Sequence, residues 1–179
     1  MNELKISLTK LKPGDKFFDE AYALYKASFP ECERRSSESF LKTFEDERFR
    51  PYLILSGGEF AGVFFCWDFG GLEYLEHFAV DPGLRGSGIG AEALKNFAAV
   101  CKCLMLEIEA PYDELSLRRK RFYERCGFTE NPYVHNPPPY IKGRPQPELM
   151  VMSYGGAVSR ELFSRFEVCV ADVVSAYRD

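Results

Sequence analysis

Histidine is scarce in this chain: only His77 and His135 occur among 179 residues. Cys101 and Cys103 have no second cysteine pair nearby, so the ligand set of a zinc site is missing and no metal is expected. The six cysteines, Cys32, Cys66, Cys101, Cys103, Cys126 and Cys169, form no paired framework. They sit mostly among apolar neighbours and read as reduced thiols packed as small hydrophobes. No hydrophobic run is long enough to cross a bilayer, and the N-terminus lacks the apolar stretch of a secretion signal. The expectation is a cytoplasmic protein with no membrane partner. Charge of one sign is not in excess either: 23 Lys and Arg stand against 27 Asp and Glu, for a net charge of -4. That balance argues against a nucleic-acid partner. Internal repeats and linkers are also lacking.

What the chain does have is apolar and aromatic content, 46% and 15%. With this length, one domain over residues 1–179 is expected, with 155–179 as a C-terminal helical extension. "LKISL" reads as a strand, and "DKFFDEAYALYKASF" has helical spacing up to Pro30. "SSESFLKTFEDE" opens with hydroxyl caps and carries Glu38 in its first turn, which predicts a second helix. "PYLILS" and "FAGVFFCWDF", divided by "GGE", read as a hairpin that "LEYLEHFAV" extends. "IGAEALKNFAAVCK" repeats apolar residues on one helical face, and "CLMLEIEA" follows as a strand parallel to the one before the helix. "DELSLRRKRFYERC" is an amphipathic helix closed by Gly127. "GFTENPYV" and "PELMVMSY" read as closing strands around "HNPPPYIKGRPQP", and the tail from 157 as a helix.

Between the third apolar strand and the following helix, "FAVDPGLRGSGIGAEALKNF" (78–97) concentrates Gly83, Gly86, Gly88 and Gly90. A strand leading through glycines into a helix start aims backbone N–H groups at one point, at the positive end of the helix dipole, and so favours a phosphate. A P-loop is excluded because no Lys-Ser or Lys-Thr pair follows the glycines. "GSGIGA" satisfies the dinucleotide pattern, but "DPGLR" intervenes and a β-meander precedes it, which is the wrong context for that fold.

"LRGSGIGAEAL" resembles the pyrophosphate loop of GCN5-related N-acetyltransferases, whose pattern of Gln or Arg-x-x-Gly-x-Gly or Ala is filled by Arg85, Gly88 and Gly90. "HFAVDPGL" is similar to that family's fourth strand and turn, and "RFYERCGF" to its later helix and strand. The resemblance extends over about residues 3 to 154. It implies a mixed α/β (α+β) fold: a mostly antiparallel central sheet with helices on both faces, splayed between strands 4 and 5. It implies acetyl-CoA as donor and an N-acetyltransferase acting on a small-molecule or peptide amine. Contacts to the donor would come from Phe78, Ala79 and Val80 on the strand, and from Arg85, Gly86, Ser87, Gly88, Ile89 and Gly90 in the loop. Arg85 either adds charge near a phosphate or braces the turn.

Tyr123 falls where the family often has the tyrosine that protonates the departing thiolate, and a phenol of pKa near ~10 suits that task. The family commonly has Asn and Ala seven and four residues before it; here stand Ser116 and Arg119, and Ser116 retains one hydroxyl for a cofactor contact. Strand alternation puts Tyr74, Glu76, Phe78 and Val80 on one face and Glu73, Leu75 and His77 on the other. Glu76 then faces the cleft and is the expected base, its pKa raised by an aromatic setting. "SFPECERRSS" resembles the loop that walls the acceptor side. Phe29, Glu31, Glu33, Trp67, Tyr133 and Tyr140 are the residues expected to meet an amine beside an apolar group. An edge strand or the tail helix offers a surface for a homodimer. The reading that competes with catalysis is a non-catalytic acyl-CoA-binding sensor of the same fold.

Overall fold

The computed structural model describes residues 5–144 and 148–179. Leu4, at the start of the expected first strand, and residues 145–147 of the proline-rich loop lie outside the described residues.

Among the described residues seven strands form one sheet: β1 (Ile6–Lys10), β2 (Phe49–Ser56), β3 (Glu59–Asp68), β4 (Glu73–Val80), β5 (Leu104–Glu109), β6 (Phe128–Glu130) and β7 (Leu149–Tyr154). Their order is β1-β2-β3-β4-β5-β7-β6. Every neighbouring pair is antiparallel except β4 and β5, which are parallel. Among the described residues five α-helices surround it: α1 (Phe18–Ser28), α2 (Ser37–Thr43), α3 (Ile89–Val100), α4 (Glu114–Arg125) and α5 (Arg160–Asp172). None of the described helices is long and apolar enough to cross a membrane.

The two sheet faces carry separate cores. One packs α1, α2 and α5 through Tyr25, Phe40, Phe163 and Phe166 onto Phe65, Trp67 and Tyr74. The other packs α3 and α4 through Leu94, Phe97 and Tyr123 onto Phe64, Leu75 and Leu106. Burial of each large apolar side chain stabilises the fold by roughly 1.5–3 kcal/mol, so the tail helix, with Phe163, Phe166 and Val170 fully buried, is part of the core. Ser36 caps α2 by accepting from the Ser39 N–H, and Asp113 caps α4 by accepting from the Ser116 N–H. α2 is shorter than its sequence pattern predicts because its last residues turn off at Thr43. β6 stops after Glu130, since Asn131 turns its side chain inward to Val151 O and Ser153 Oγ.

Two irregularities shape the centre of the sheet. β4 and β5 pair only over Glu73–Leu75 and Leu104–Leu106, so beyond that point the strands part. In addition, Phe65 faces His77 while Cys66 faces Leu75, leaving Glu76 as an extra residue in β4. Such a β-bulge shifts the side-chain alternation by one residue.

Candidate active site

Leu75 and Leu106 form the last pair of the parallel ladder, and the next residue on each strand is a glutamate, Glu76 on β4 and Glu107 on β5. These two carboxylates mark the apex of the gap. The bulge turns Glu76 and His77 to the same face, toward α1 and the tail: Glu76 meets Trp67 and Arg35, and His77 meets the rings of Tyr25 and Phe29 at 4.9 and 4.5 Å. Phe78 and Val80 point to the opposite face, beneath α3 and α4. The simple alternation that placed Glu76 beside Phe78 and Val80, and His77 away from it, is therefore corrected by one inserted residue.

Glu76 is enclosed. Its side chain is 0% exposed; it accepts hydrogen bonds from Arg35 Nη2 and Trp67 Nε1, both at 2.8 Å, and from the Tyr140 hydroxyl. Arg178 Nη2 lies 3.6 Å away. Burial alone would raise the carboxyl pKa, but the Arg35 and Arg178 guanidinium groups outweigh it and hold Glu76 well below the usual carboxylate range. The expected upward shift toward a useful base is thus reversed, and the reason is the pair of buried arginines. His77 is neutral: burial and the neighbouring guanidinium groups pull it down to about 4 against the opposing pull of Glu76. Its Nε2 is 3.0 Å from the Glu33 carbonyl, which can only accept, so the proton sits on Nε2.

Glu107 has a different environment. Tyr74 donates to its Oε2 at 2.6 Å, and His135 Nε2 is bonded to its Oε1. No arginine bonds to it among the described residues.

On the other side of the gap, the loop from Asp81 to Gly88 leads into α3. Asp81 accepts from Gly83 N–H at 2.8 Å, and Ser87 Oγ donates to Leu84 O. Gly88, at φ 87°, lies in the left-handed region that a side chain resists, and it starts α3. The first turn of the helix leaves its N–H groups without partners inside the helix; the first internal bond runs from Glu92 N–H to Gly88 O. Arg85 through Gly88 are exposed. Gly90 faces β4 so closely that a Cβ would meet Val80 Cγ2 at 3.0 Å and Phe78 Cζ at 3.2 Å. Arg85 Nε donates to Val80 O at 3.2 Å, so it braces the turn.

Tyr123 is 8% exposed, edge-on to Phe122 and Phe128, and burial raises its phenol, which stays protonated throughout the neutral range. Ser116 is spoken for: its hydroxyl donates to Asp113 Oδ1 at 2.6 Å and accepts from Tyr112 N and Asp113 N, and the residue is 1% exposed. The helix cap thus takes the one hydroxyl that the sequence leaves for a cofactor. Arg119 pairs with Glu109 at 3.1 Å.

The expected acceptor residues divide. Trp67 and Tyr140 converge on Glu76, and Phe29 reaches it through His77. Glu33 is half-buried near Glu109, its pKa raised by burial and then by that neighbour. Glu31 is exposed and pairs with Arg34, while Tyr133 packs on Phe163 and donates to Val158 O. Trp67, at 0% exposure, is a core residue, and its role is to hold Glu76. Sequence reasoning missed Arg35, Arg178, Glu107 and His135. The tail also closes over the Glu76 cluster: Arg178 stacks 3.9 Å from the Tyr140 ring, and Asp179 accepts from Ser36 N, Ser36 Oγ and Ser39 Oγ, each at 2.7 Å.

Residues 17–128 match the model of the acetyltransferase (GNAT) family. The fold is similar to that of a GNAT-family protein from Bacteroides thetaiotaomicron, at 27% identity and a TM-score of 0.88, over 94% of this chain and 98% of that one. The ribosomal-protein-S18-alanine N-acetyltransferase from Escherichia coli matches at 18% identity and a TM-score of 0.60, over 87% of this chain and 97% of that one. A GNAT family acetyltransferase from Elizabethkingia anophelis with acetyl-CoA bound matches at 14% identity and a TM-score of 0.56, over 83% and 97%. The glycine loop, the strand before it and the whole of the helix that carries Tyr123 fall within the matched span, and the chain belongs to the GNAT acetyltransferase family.

Proposed function

We propose that this protein transfers an acetyl group from acetyl-CoA to the primary amine of a small molecule or peptide by direct attack. The observation that carries the reading is the end of β4–β5 pairing at Leu75 and Leu106, on the sheet face where the Gly88 turn opens α3. The exposed loop from Arg85 to Gly88 and the first-turn N–H groups of Ile89 and Gly90 suit a pyrophosphate. The missing side chain at Gly90 lets the start of α3 lie directly against Val80 and Phe78, and the edge of β4 from Phe78 to Val80, which β5 does not pair and where Arg85 takes the Val80 carbonyl, offers its other main-chain groups to an extended arm. Acetyl-CoA supplies an acyl group activated as a thioester.

An attacking amine must give up a proton. Of the two apex carboxylates, Glu76 is held ionised by two guanidinium groups, so its pull on a further proton is weak. Glu107, bonded to a hydroxyl and an imidazole, is the proton acceptor in this reading. Glu76 instead fixes Arg35, Trp67 and Tyr140 on the acceptor wall. Tyr123 keeps its proton and donates it toward the leaving sulfur.

The packed acceptor side, where Arg178 and Asp179 tie the wall loops together, favours a second reading: an acyl-CoA-binding domain that does not transfer. Following thiol release from acetyl-CoA with a panel of amines decides between them. Saturable CoA binding with no amine-dependent thiol would establish the sensor and end the transferase reading.

A further inference from the structure

Arg178 sits beside the apex of the gap between β4 and β5, in a place shaped for a cation. Its guanidinium carbon lies 3.9 Å from the centre of the Tyr140 ring, Nη2 is 3.6 Å from Glu76 Oε1, and Nη1 donates to the Pro138 carbonyl. Its charge also acts on Tyr74 and Glu107, which stand on the two strands that part there. The side chain is 3% exposed. An aromatic face, a carboxylate and a carbonyl oxygen receive an ammonium group as readily as a guanidinium.

Two features set Arg178 apart from an arginine that merely completes a core. Its Nε and Nη2 are buried with no hydrogen-bond partner among the described residues, so the guanidinium fills the place without being satisfied by it. What holds it there, moreover, lies at the surface. Asp179 is exposed, and its carboxylate is latched to Ser36 and Ser39 by exposed hydrogen bonds. Its main chain adds one bond from its own N–H to Tyr140 O at 2.9 Å and one from Lys142 N–H to Asp179 O at 3.0 Å. A short segment held by exposed bonds opens at low cost, whereas Val174, just before it, is fully buried and anchors the chain. With Arg178 lifted away, the two apex carboxylates, Glu76 and Glu107, are left with the Arg35 guanidinium, and a buried excess of negative charge draws in another cation.

We propose that residues 178–179 are an autoinhibitory strap: the Arg178 guanidinium occupies the subsite that takes the charged amine of the acceptor, and an acceptor binds by displacing it. The inference rests on the acetyl-transfer reading above and adds the acceptor's class to it. An alkylamine, which arrives protonated, fits the subsite; an arylamine, neutral near pH 7, does not. The strap needs no bond to form or break, and it acts on affinity: a site open for a fraction of the time binds with its intrinsic affinity reduced by that fraction.

The test uses Arg178→Ala and Asp179→Ala in the full chain. Thiol release from acetyl-CoA is followed with spermidine, benzylamine and a short peptide with a free N-terminus as charged acceptors, and with aniline as the neutral one. Arg178→Ala is expected to lower KM for the charged amines about tenfold or more, with no such gain for aniline. Methylguanidinium, the group that the substitution removes, is expected to raise that KM again in a saturable way and to act only weakly on the wild type. Asp179→Ala, at the exposed latch, keeps the melting temperature and lowers KM in the same direction by less; it decides the matter should Arg178→Ala fail to fold. An unchanged or higher KM in both variants, or a fall that methylguanidinium does not reverse, would overturn the strap alone. An equal gain for aniline would overturn the assignment of the subsite to a cation. A wild type without turnover beside an active Arg178→Ala supports the strap. Saturable CoA binding with no thiol release from the wild type or either variant would overturn the acetyl-transfer reading and the strap together.

Discussion

Arg35 and Glu76 form an ion pair that water does not reach: Nη2 lies 2.8 Å from Oε1, with the side chains 2% and 0% exposed. Removing one partner of such a pair leaves an uncompensated buried charge, which costs about 3–5 kcal/mol. Arg35→Met is expected to lower the unfolding free energy by that order, and Arg35→Met with Glu76→Gln by clearly less. Urea unfolding of the two single variants and the double variant measures this coupling. A double variant no more stable than Arg35→Met would show that Arg178, 3.6 Å from Glu76, carries the charge balance instead.

His77 gives the protein a pH dependence of known sign. Its pKa is lowered to about 4 in the fold, first by burial, whereas an unfolded histidine titrates near 6.5. Between those values the unfolded chain binds a proton that the folded one refuses, so stability is fully present above the unfolded pKa and falls as the pH drops toward 4. The slope is at most about 1.4 kcal/mol per pH unit. Glu76, whose pKa is depressed, loses its contribution only lower, as pH falls below the unfolded carboxylate value of about 4.3. Urea midpoints for the wild type and His77→Asn across the mildly acid range should diverge. Parallel curves would mean that His77 is not neutral in the fold.

Gly90 is predicted to control donor binding through the close packing of α3 on β4, so a side chain there also costs some stability. A side chain there would press on Val80 and Phe78, which line the face where the donor's arm is proposed to lie. Gly90→Val is expected to weaken CoA binding about tenfold or more, equivalent to ~1.4 kcal/mol. Calorimetric titration with CoA reads this directly. Unchanged affinity would place the arm elsewhere.

The element order, the parallel pair around α3 and the glycine turn could all be read from the chain, because each is written in local periodicity and turn chemistry. The bulge at Glu76 could not. One extra residue in β4 leaves no mark on the hydrophobic pattern, since Glu76 and His77 are both polar, yet it moves the carboxylate to the other face. Arg35 and Arg178 were equally silent: an arginine after an acidic loop and another at the end of the tail look like solvated charges. Only the closing of the tail over the sheet buries them. Glu107 had a weak signal in hindsight. It lies in an apolar strand, "LMLEIE", where a carboxylate needs a partner, but the partner, His135, sits in a proline-rich loop that periodicity does not place. Ser116 failed for a local reason, because a serine three residues after an Asp cap is already the reciprocal half of a capping box.

Tyr123 is the residue whose role kinetics separates most cleanly. Its ring fills space between Phe122 and Phe128, and its protonated hydroxyl is the only part that Tyr123→Phe removes. The packing is kept, so the melting temperature and CoA affinity should stay near those of the wild type. Loss of a proton donor costs a general-acid step about 10²-fold or more in kcat. Reading kcat and KM separately for thiol release makes the assignment specific, because a purely packing role would leave kcat alone. If Tyr123→Phe turns over at the wild-type rate, the leaving thiolate takes its proton from water, and Tyr123 is simply part of the core under α4.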